Sequence, residues 1–287
     1  MGFGLALSGG GTRGAAHVGV LLALQEASFL PRSLAGTSAG AIVGGLYAAG
    51  VEPLMLKQMV YHLVHNGKQL MDVDYIGILR GVYQLVTRRE LTLTGLMKGE
   101  KMYDFISHYT SGKTMRDVSL PIVIPAVDMA SARTVVYTNR AAGKPAITDV
   151  IWRDDVLLAE ACCASAAVPI AFRPRKSGKL MLLDGGLTDN LPVSLLAAAG
   201  ETNILAVDIS EDYEPPEDEN IIEIASHSLS IMGRRLRQCS STGERVLLKP
   251  KLPDNAKFLD FSHMTRCMQA GYEATKNMLP VLRTMLV

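Results

Sequence analysis

The sequence has little that would staple, anchor or extend it. It holds four cysteines, Cys162, Cys163, Cys239 and Cys267, in 287 residues. They show neither C-x-x-C spacing nor the density of a disulfide framework, so they read as reduced thiols of a cytosolic protein. The first basic residue is Arg13, so the charged start of a secretory signal is missing. Gly2 is not followed by Ser or Thr where a myristoylation signal needs one. Net charge is only +1, without the strongly basic balance that marks nucleic-acid binders. One long uncharged run exists, Ser33 to Val51. It is built of Gly, Ala, Ser and Thr, which insert weakly, so it reads as a packed core helix and not as a membrane span. Repeats, low-complexity tracts and an obvious linker are absent.

What is there is an ordinary globular balance, 48% apolar and 20% charged, which predicts one α/β domain over residues 1–287. Strands are predicted at Phe3–Leu7, Ser33–Ser38, Pro121–Met129, Arg133–Asn139, Lys179–Gly186, Asn203–Ser210 and Arg245–Leu252. Helices are predicted at Ala15–Ala27, Ala39–Gly50, Glu52–Gly67, Gly99–Gly112, Asp154–Val168, Pro192–Gly200 and Ile221–Cys239, with a C-terminal helix interrupted late by Pro280. Lys68–Leu96 reads as an irregular or helical insertion, and the acidic, proline-containing stretch 211–220 as a surface loop. Alternation of this kind argues for a mostly parallel central sheet with helices on both faces.

The stretch LSGGGTRGAAHVG, Leu7 to Gly19, matches a dinucleotide loop at Gly9, Gly11 and Gly14. Such a loop also needs an acidic residue at the end of the next strand to hold the ribose. Here that strand ends in Gly-Thr-Ser, and the nearest acids are Glu26 and Glu52. No Lys-Ser/Thr pair closes the loop as a P-loop would require. A nucleotide cofactor is therefore not expected. The physics survives: glycines, free amides at a helix start and Arg13 together favour a negative charge.

A second glycine turn supplies a nucleophile. Gly36-Thr37-Ser38-Ala39-Gly40 is a G-x-S-x-G pattern between an apolar strand and a small-residue helix, the setting of a nucleophile elbow. The plainer reading makes Ser38 a helix N-cap. A serine needs a base, and none of the six histidines recommends itself. His62 and His65 share a helix face without a carboxylate cluster, so no metal site is expected. Asp184 is the better base: an apolar strand delivers it to a Gly185-Gly186 turn at the edge where α/β active sites collect. Alternatively it caps that turn. Asp189 is a rival that reads more as a loop or cap residue.

These residues resemble the patatin-like phospholipases, a family of lipid acyl hydrolases. Four segments match in order: Gly9-Gly10-Gly11-Thr12-Arg13-Gly14 with His17 and Gly19; Gly36 to Gly40; Ala164 to Pro174; and Asp184-Gly185-Gly186. The resemblance implies a three-layer α/β fold and a Ser38–Asp184 dyad without histidine or cofactor, working through an acyl-enzyme on a lipid or acyl-ester substrate. It implies an oxyanion hole in the loop Gly9, Gly10, Gly11, Thr12, Arg13 and Gly14, chiefly from the Gly10 and Gly11 amides. Arg13 would either order the loop or face a lipid phosphate, His17 would pack, and Ala166, Val168 and Pro169 would wall the dyad. The competing reading is a non-catalytic lipid-binding or regulatory member of the same fold; it would predict a lost serine, aspartate or glycine loop, and all three are intact. A phospholipid substrate further implies a cytoplasmic protein that meets the inner face of a membrane peripherally. Tyr75–Arg89, mixed apolar and basic, is the candidate lid or interfacial patch; the alternative is a surface helix with one buried side.

Overall fold

Short runs of small and branched apolar residues form the centre of the sheet. The computed structural model describes residues 2–90, 92–139, 141–210, 243–254 and 256–286, with isolated positions between 224 and 236. Its strands are β1 (Gly4–Leu7), β2 (Ser33–Gly36), β3 (Ile122–Asp128), β4 (Thr134–Thr138), β5 (Val150–Arg153), β6 (Arg175–Ser177), β7 (Leu180–Asp184), β8 (Ile204–Val207) and β9 (Val246–Leu248). They join one sheet in the order β5-β4-β3-β2-β1-β8-β9, with β7 and β6 attached beside β3. Strands β3-β2-β1-β8-β9 run parallel, and β4 and β7 run antiparallel to β3.

Helices cover both faces. Alternation in β1 sends Leu5 and Leu7 to one side and Ala6 to the other. The first side is covered by α1 (Ala15–Glu26), α2 (Ala39–Ala48), α3 (Pro53–Asn66), and, further along the chain, α5 (Glu100–Tyr109), α6 (Leu158–Ser165) and α8 (Met264–Met285). The second is covered by α7 (Val193–Ala198) through Val193, Leu195 and Leu196. The run Ser33 to Val51 is thus a buried strand, a turn and a core helix. Among the described residues no helix is long and apolar enough to cross a membrane. Helices α1 and α8 cross so closely that a side chain on Gly19 would strike the Met268 carbonyl, and one on Gly271 the Ala16 carbonyl.

One detail of the sheet places the site. β4 occupies one edge of β3 from Val123 to Val127. The other edge is shared: β2 takes Ile122 and Val123, and β7 takes Ala126 to Asp128. β2 and β7 run toward each other along this edge and abut head to head. β2 ends two residues before Ser38, and β7 ends at Asp184.

The structure departs from the sequence expectations at four places. Val150–Arg153 is a strand, because its Val-Ile-Trp run finds an open edge on β4. The helix expected from Asp154 starts only at Leu158, since Leu157 is extended and bridges to Thr114, and it ends at Ser165. Pro280 does not interrupt the last helix; burial of Leu282 and Leu286 holds the chain helical past the lost hydrogen bond. Arg175–Ser177 is a strand, β6, where none was expected, because it finds an edge on β7. In the Lys68–Leu96 insertion, expected to be irregular or helical, α4 (Tyr75–Val86) is a helix; Gly77, Ile78, Gly81 and Gln84 form its less exposed side, and Gly81 is its one buried residue. The loop expected at 211–220 and most of the helix expected from Ile221 to Cys239 lie outside the described residues.

Candidate active site

Ser38 stands between β2 and α2 with φ 54° and ψ −117°. A non-glycine residue pays of the order of 1–3 kcal/mol for such a backbone, and it persists only where its surroundings enforce it. Here they do. The Ser38 amide donates to the buried Ser165 hydroxyl at 3.0 Å, the Thr37 amide to the Leu7 carbonyl at 3.1 Å, and the Thr37 hydroxyl to the Asp189 carbonyl at 2.8 Å. Gly36 and Gly40 meet across the turn: a Cβ on Gly36 would collide with the Gly40 carbonyl, and one on Gly40 with Leu7. Only glycine fits at either position, which explains both glycines of the pattern. Ser38 makes no side-chain cap, so the plainer N-cap reading fails.

Asp184 is 6% exposed. One oxygen, Oδ1, accepts the Gly186 amide at 2.7 Å. The other, Oδ2, is buried and has no hydrogen-bond partner among the described residues. Burial pushes the carboxyl up to about 6, against the opposing pull of the Ser38 hydroxyl and the Gly186 amide. A carboxylate that is under-solvated, beside a hydroxyl and with a spare oxygen is equipped to take a proton. The rival Asp189 is also raised to about 6 by burial, but its carboxylate accepts from Ser194 at 3.2 Å and its carbonyl braces Thr37. It supports the elbow from behind.

The glycine loop lies against Ser38: a Cβ on Gly9 would lie 3.2 Å from the Ser38 Cβ. Not every amide expected to hold an oxyanion is free to do so. The Gly9 amide donates to the Asn190 carbonyl at 3.0 Å and the Thr12 amide to the Phe258 carbonyl at 2.9 Å. Arg13 and Gly14 lie inside the short helical turn Gly11–Gly14, and Gly14 packs against Ala39. The Gly9 and Thr12 amides are thus committed to carbonyls of other segments. The amides of Gly10 and Gly11 have no acceptor among the described residues. Gly11 also holds φ +59°, and any side chain there would strike Phe258. Arg13 is 7% exposed, and its Nε donates to the Gly10 carbonyl at 3.0 Å, so it orders the loop from within. His17 is fully buried and bonded through Nε2 to the Ser8 carbonyl at 2.8 Å; burial lowers it to about 4, so it stays neutral and packs.

A cavity of about 170 Å³ opens from Ser38. It runs beneath α2, α3 and α5, past Ile42, Leu46, Met59 and Phe105 to the segment at Phe258. Ala166 and Val168 line it; Pro169, expected there too, does not. Among the described residues that line it, only Ser38 and Thr12 are polar, and none is charged. Among the described residues no group of three or more His, Cys, Asp or Glu could hold a metal ion.

A family model, Patatin-like phospholipase, matches residues 5–197. The chain belongs to the patatin-like phospholipase family. Among curated proteins, an uncharacterized NTE family protein of Mycobacterium bovis is 29% identical over 230 residues, covering 80% of this chain and 55% of its own. A lysophospholipase of Mycosarcoma maydis is 26% identical over 217 residues, 75% of this chain and 10% of its own. The chain thus spans about half the length of the first of these relatives and far less of the second. Among solved structures, VipD from Legionella pneumophila aligns with TM-score 0.55 at 15% identity, covering 98% of this chain and 67% of VipD. A human cytosolic phospholipase A2 in complex with a fluorophosphonate aligns with TM-score 0.50 at 12% identity, over 99% and 59% of the two chains. These two likenesses establish the three-layer α/β fold.

In this patatin-like domain the sequence patterns miss Ser165 and Asn190, which hold the elbow and the glycine loop through hydrogen bonds to Ser38 and Gly9. Each accompanies a legible motif, Ser165 in the Ala-Ser segment and Asn190 after Asp184-Gly-Gly, but only the fold turns them inward. The cavity residues of α3 and α5 carry no motif and become legible only once packed.

Proposed function

We propose that this domain is a serine acyl hydrolase that cleaves a carboxylic ester of a lipid, with Ser38 as nucleophile and Asp184 as base. The observation that carries the reading is a strained serine beside a buried, under-bonded carboxylate at the head of a charge-free cavity. Family membership and the lysophospholipase among its relatives support the lipid substrate.

The chemistry follows from the geometry. The acyl chain lies in the cavity, where apolar lining removes it from water. The Ser38 Oγ attacks the ester carbon as its proton passes to Asp184. The carbonyl oxygen becomes an oxyanion, received by the Gly10 and Gly11 amides; one such donor contributes roughly 3 kcal/mol. Asp184 returns the proton to the leaving alcohol, and Ser38 is left acylated. Water then attacks the acyl-enzyme, giving its proton to Asp184, and collapse of the second intermediate returns that proton to Ser38. A neutral His17 fixed to the Ser8 carbonyl takes no part.

The test is covalent and kinetic. A fluorophosphonate should label Ser38, and both Ser38→Ala and Asp184→Asn should remove hydrolysis of p-nitrophenyl acyl esters and of a phospholipid and lysophospholipid panel. Folded wild-type protein that neither labels nor hydrolyses any ester would refute the reading and favour a non-catalytic lipid-binding member.

A further inference from the structure

We propose that α4 is a membrane-docking helix that lays its apolar stripe into the interface of an anionic phospholipid bilayer. The inference takes its partner's identity from the acyl-hydrolase reading and adds where and how the domain meets the lipid.

Helix α4 has an unusual surface. Ile76, Leu79, Val82, Tyr83, Leu85 and Val86 are each more than half exposed. Ile76, Leu79, Val82 and Tyr83, and Val86 recur at the three- and four-residue spacing of one helix face. The side turned to the protein is made small by Gly77 and Gly81. Water gains nothing from this arrangement, because a solvated helix would carry charge there.

Charge on the segment selects the partner. Arg80, Arg88 and Arg89 are exposed, and the exposed Glu90 is the one acid from Tyr75 to Glu90, which leaves this stretch at net +2 in a chain whose total is only +1. Arg89 leans over the Tyr83 ring at 5.9 Å, so the basic end sits against the apolar face. Apolar side chains beside an excess of arginines fit a layer of acyl chains beneath lipid phosphates.

The helix is also fastened beside the cavity. Asp72 holds the Gly99 and Glu100 amides at 2.8 Å, and the buried Asp74 pairs with Arg173. The returning segment of the insertion is bonded to the segment after Pro169: the Leu96 amide to the Ile170 carbonyl and the Met97 amide to the Ala171 carbonyl, both at 2.9 Å. Phe172, in that same segment, lines the cavity, as do Leu70 and Met71 at the start of the insertion. A helix anchored this way brings the acyl cavity to whatever surface the helix enters.

The experiment is flotation of the full chain with vesicles of phosphatidylcholine alone or mixed equally with phosphatidylglycerol. Its controls are hydrolysis of a soluble short-chain ester, thermal melting and solution mass without lipid. Wild type and Ser38→Ala should float alike with the mixed vesicles. Leu79→Glu/Val82→Glu/Val86→Glu should lose binding by about tenfold per substitution. Arg88→Gln/Arg89→Gln should lose roughly fivefold per arginine on the mixed vesicles, and nothing on phosphatidylcholine alone. All these variants except Ser38→Ala should melt and hydrolyse the soluble ester like wild type. Wild type that does not float, or a triple-glutamate variant that floats equally well, overturns the proposal. So does a wild-type dimer that the triple variant converts to monomer, since a second copy would then cover α4. Flotation without any ester hydrolysis would sink the hydrolase reading and leave the docking helix standing.

Discussion

Ser38 and Asp184 stand at the ends of two strands that do not pair with each other but share one edge of a third. Ala35 lies opposite Val123 and Asp184 opposite Ala126, three residues further along β3. The proposed nucleophile and its proposed base are therefore spaced by the register of a single strand. Five consequences for measurement follow from that pair and its surroundings.

The first is the pH profile. As the proposed base, Asp184 can act only when ionised, and burial places its carboxyl at about 6. For hydrolysis of a soluble ester, kcat/KM should climb tenfold per pH unit below that value and level off above it. A profile flat from pH 4 to 8 would mean that some other group accepts the proton.

The second concerns stability, with the opposite sign. A carboxyl raised from 3.8 to about 6 binds its proton more tightly folded than unfolded. The contribution of Asp184 to stability should therefore fall as pH rises from about 4 to 6, and the penalty should persist above it. Asp184→Asn removes the charge and keeps the shape. It should gain roughly 2–3 kcal/mol in urea unfolding at pH 7.5 while losing activity, and the gain should shrink toward zero near pH 4. Equal gains at both pH values would point to packing.

The third tests the brace in the glycine loop. Arg13→Lys should lower kcat about a hundredfold, with KM for a soluble ester little changed, because an ammonium cannot reproduce the guanidinium bond to the Gly10 carbonyl. Fluorophosphonate labelling should slow in parallel.

The fourth tests the cavity. Leu46 lies eight residues along α2 from Ser38, about 12 Å at the rise of a helix. Leu46→Trp should cut hydrolysis of long-chain p-nitrophenyl esters at least tenfold and spare the butyrate. Uniform loss across chain lengths would place the acyl chain elsewhere.

The fifth tests the crowding at the elbow. Gly40→Ala puts a methyl into the Leu7 carbonyl and should cost about 3 kcal/mol or more of stability, read as a lowered urea midpoint.

Much of this site is legible in the amino-acid sequence, for a local reason. Strand-turn-helix grammar around Gly36–Gly40 and the apolar strand ending at Asp184 are written in consecutive residues. What stays hidden depends on contacts far apart in the chain. That Gly9 gives its amide to Asn190 requires two segments 181 residues apart to meet. That Arg13 turns inward to the Gly10 carbonyl depends on its burial. β5 escapes because a four-residue edge strand has too short a pattern to stand out. Pro280 misleads because a local rule, the missing hydrogen bond, loses to the burial of Leu282 and Leu286.

The shared edge of β3 also shapes how this protein fails. A slip of β7 by one residue would turn Asp184 to the opposite face of the sheet and leave Ser38 without its proposed base. No intermediate setting exists between the two registers. Damage or misfolding around β7 should then appear as fewer competent molecules, each working at full speed. Active-site titration and turnover number would separate, and the covalent label on Ser38 would serve as a head count of correctly assembled sheets.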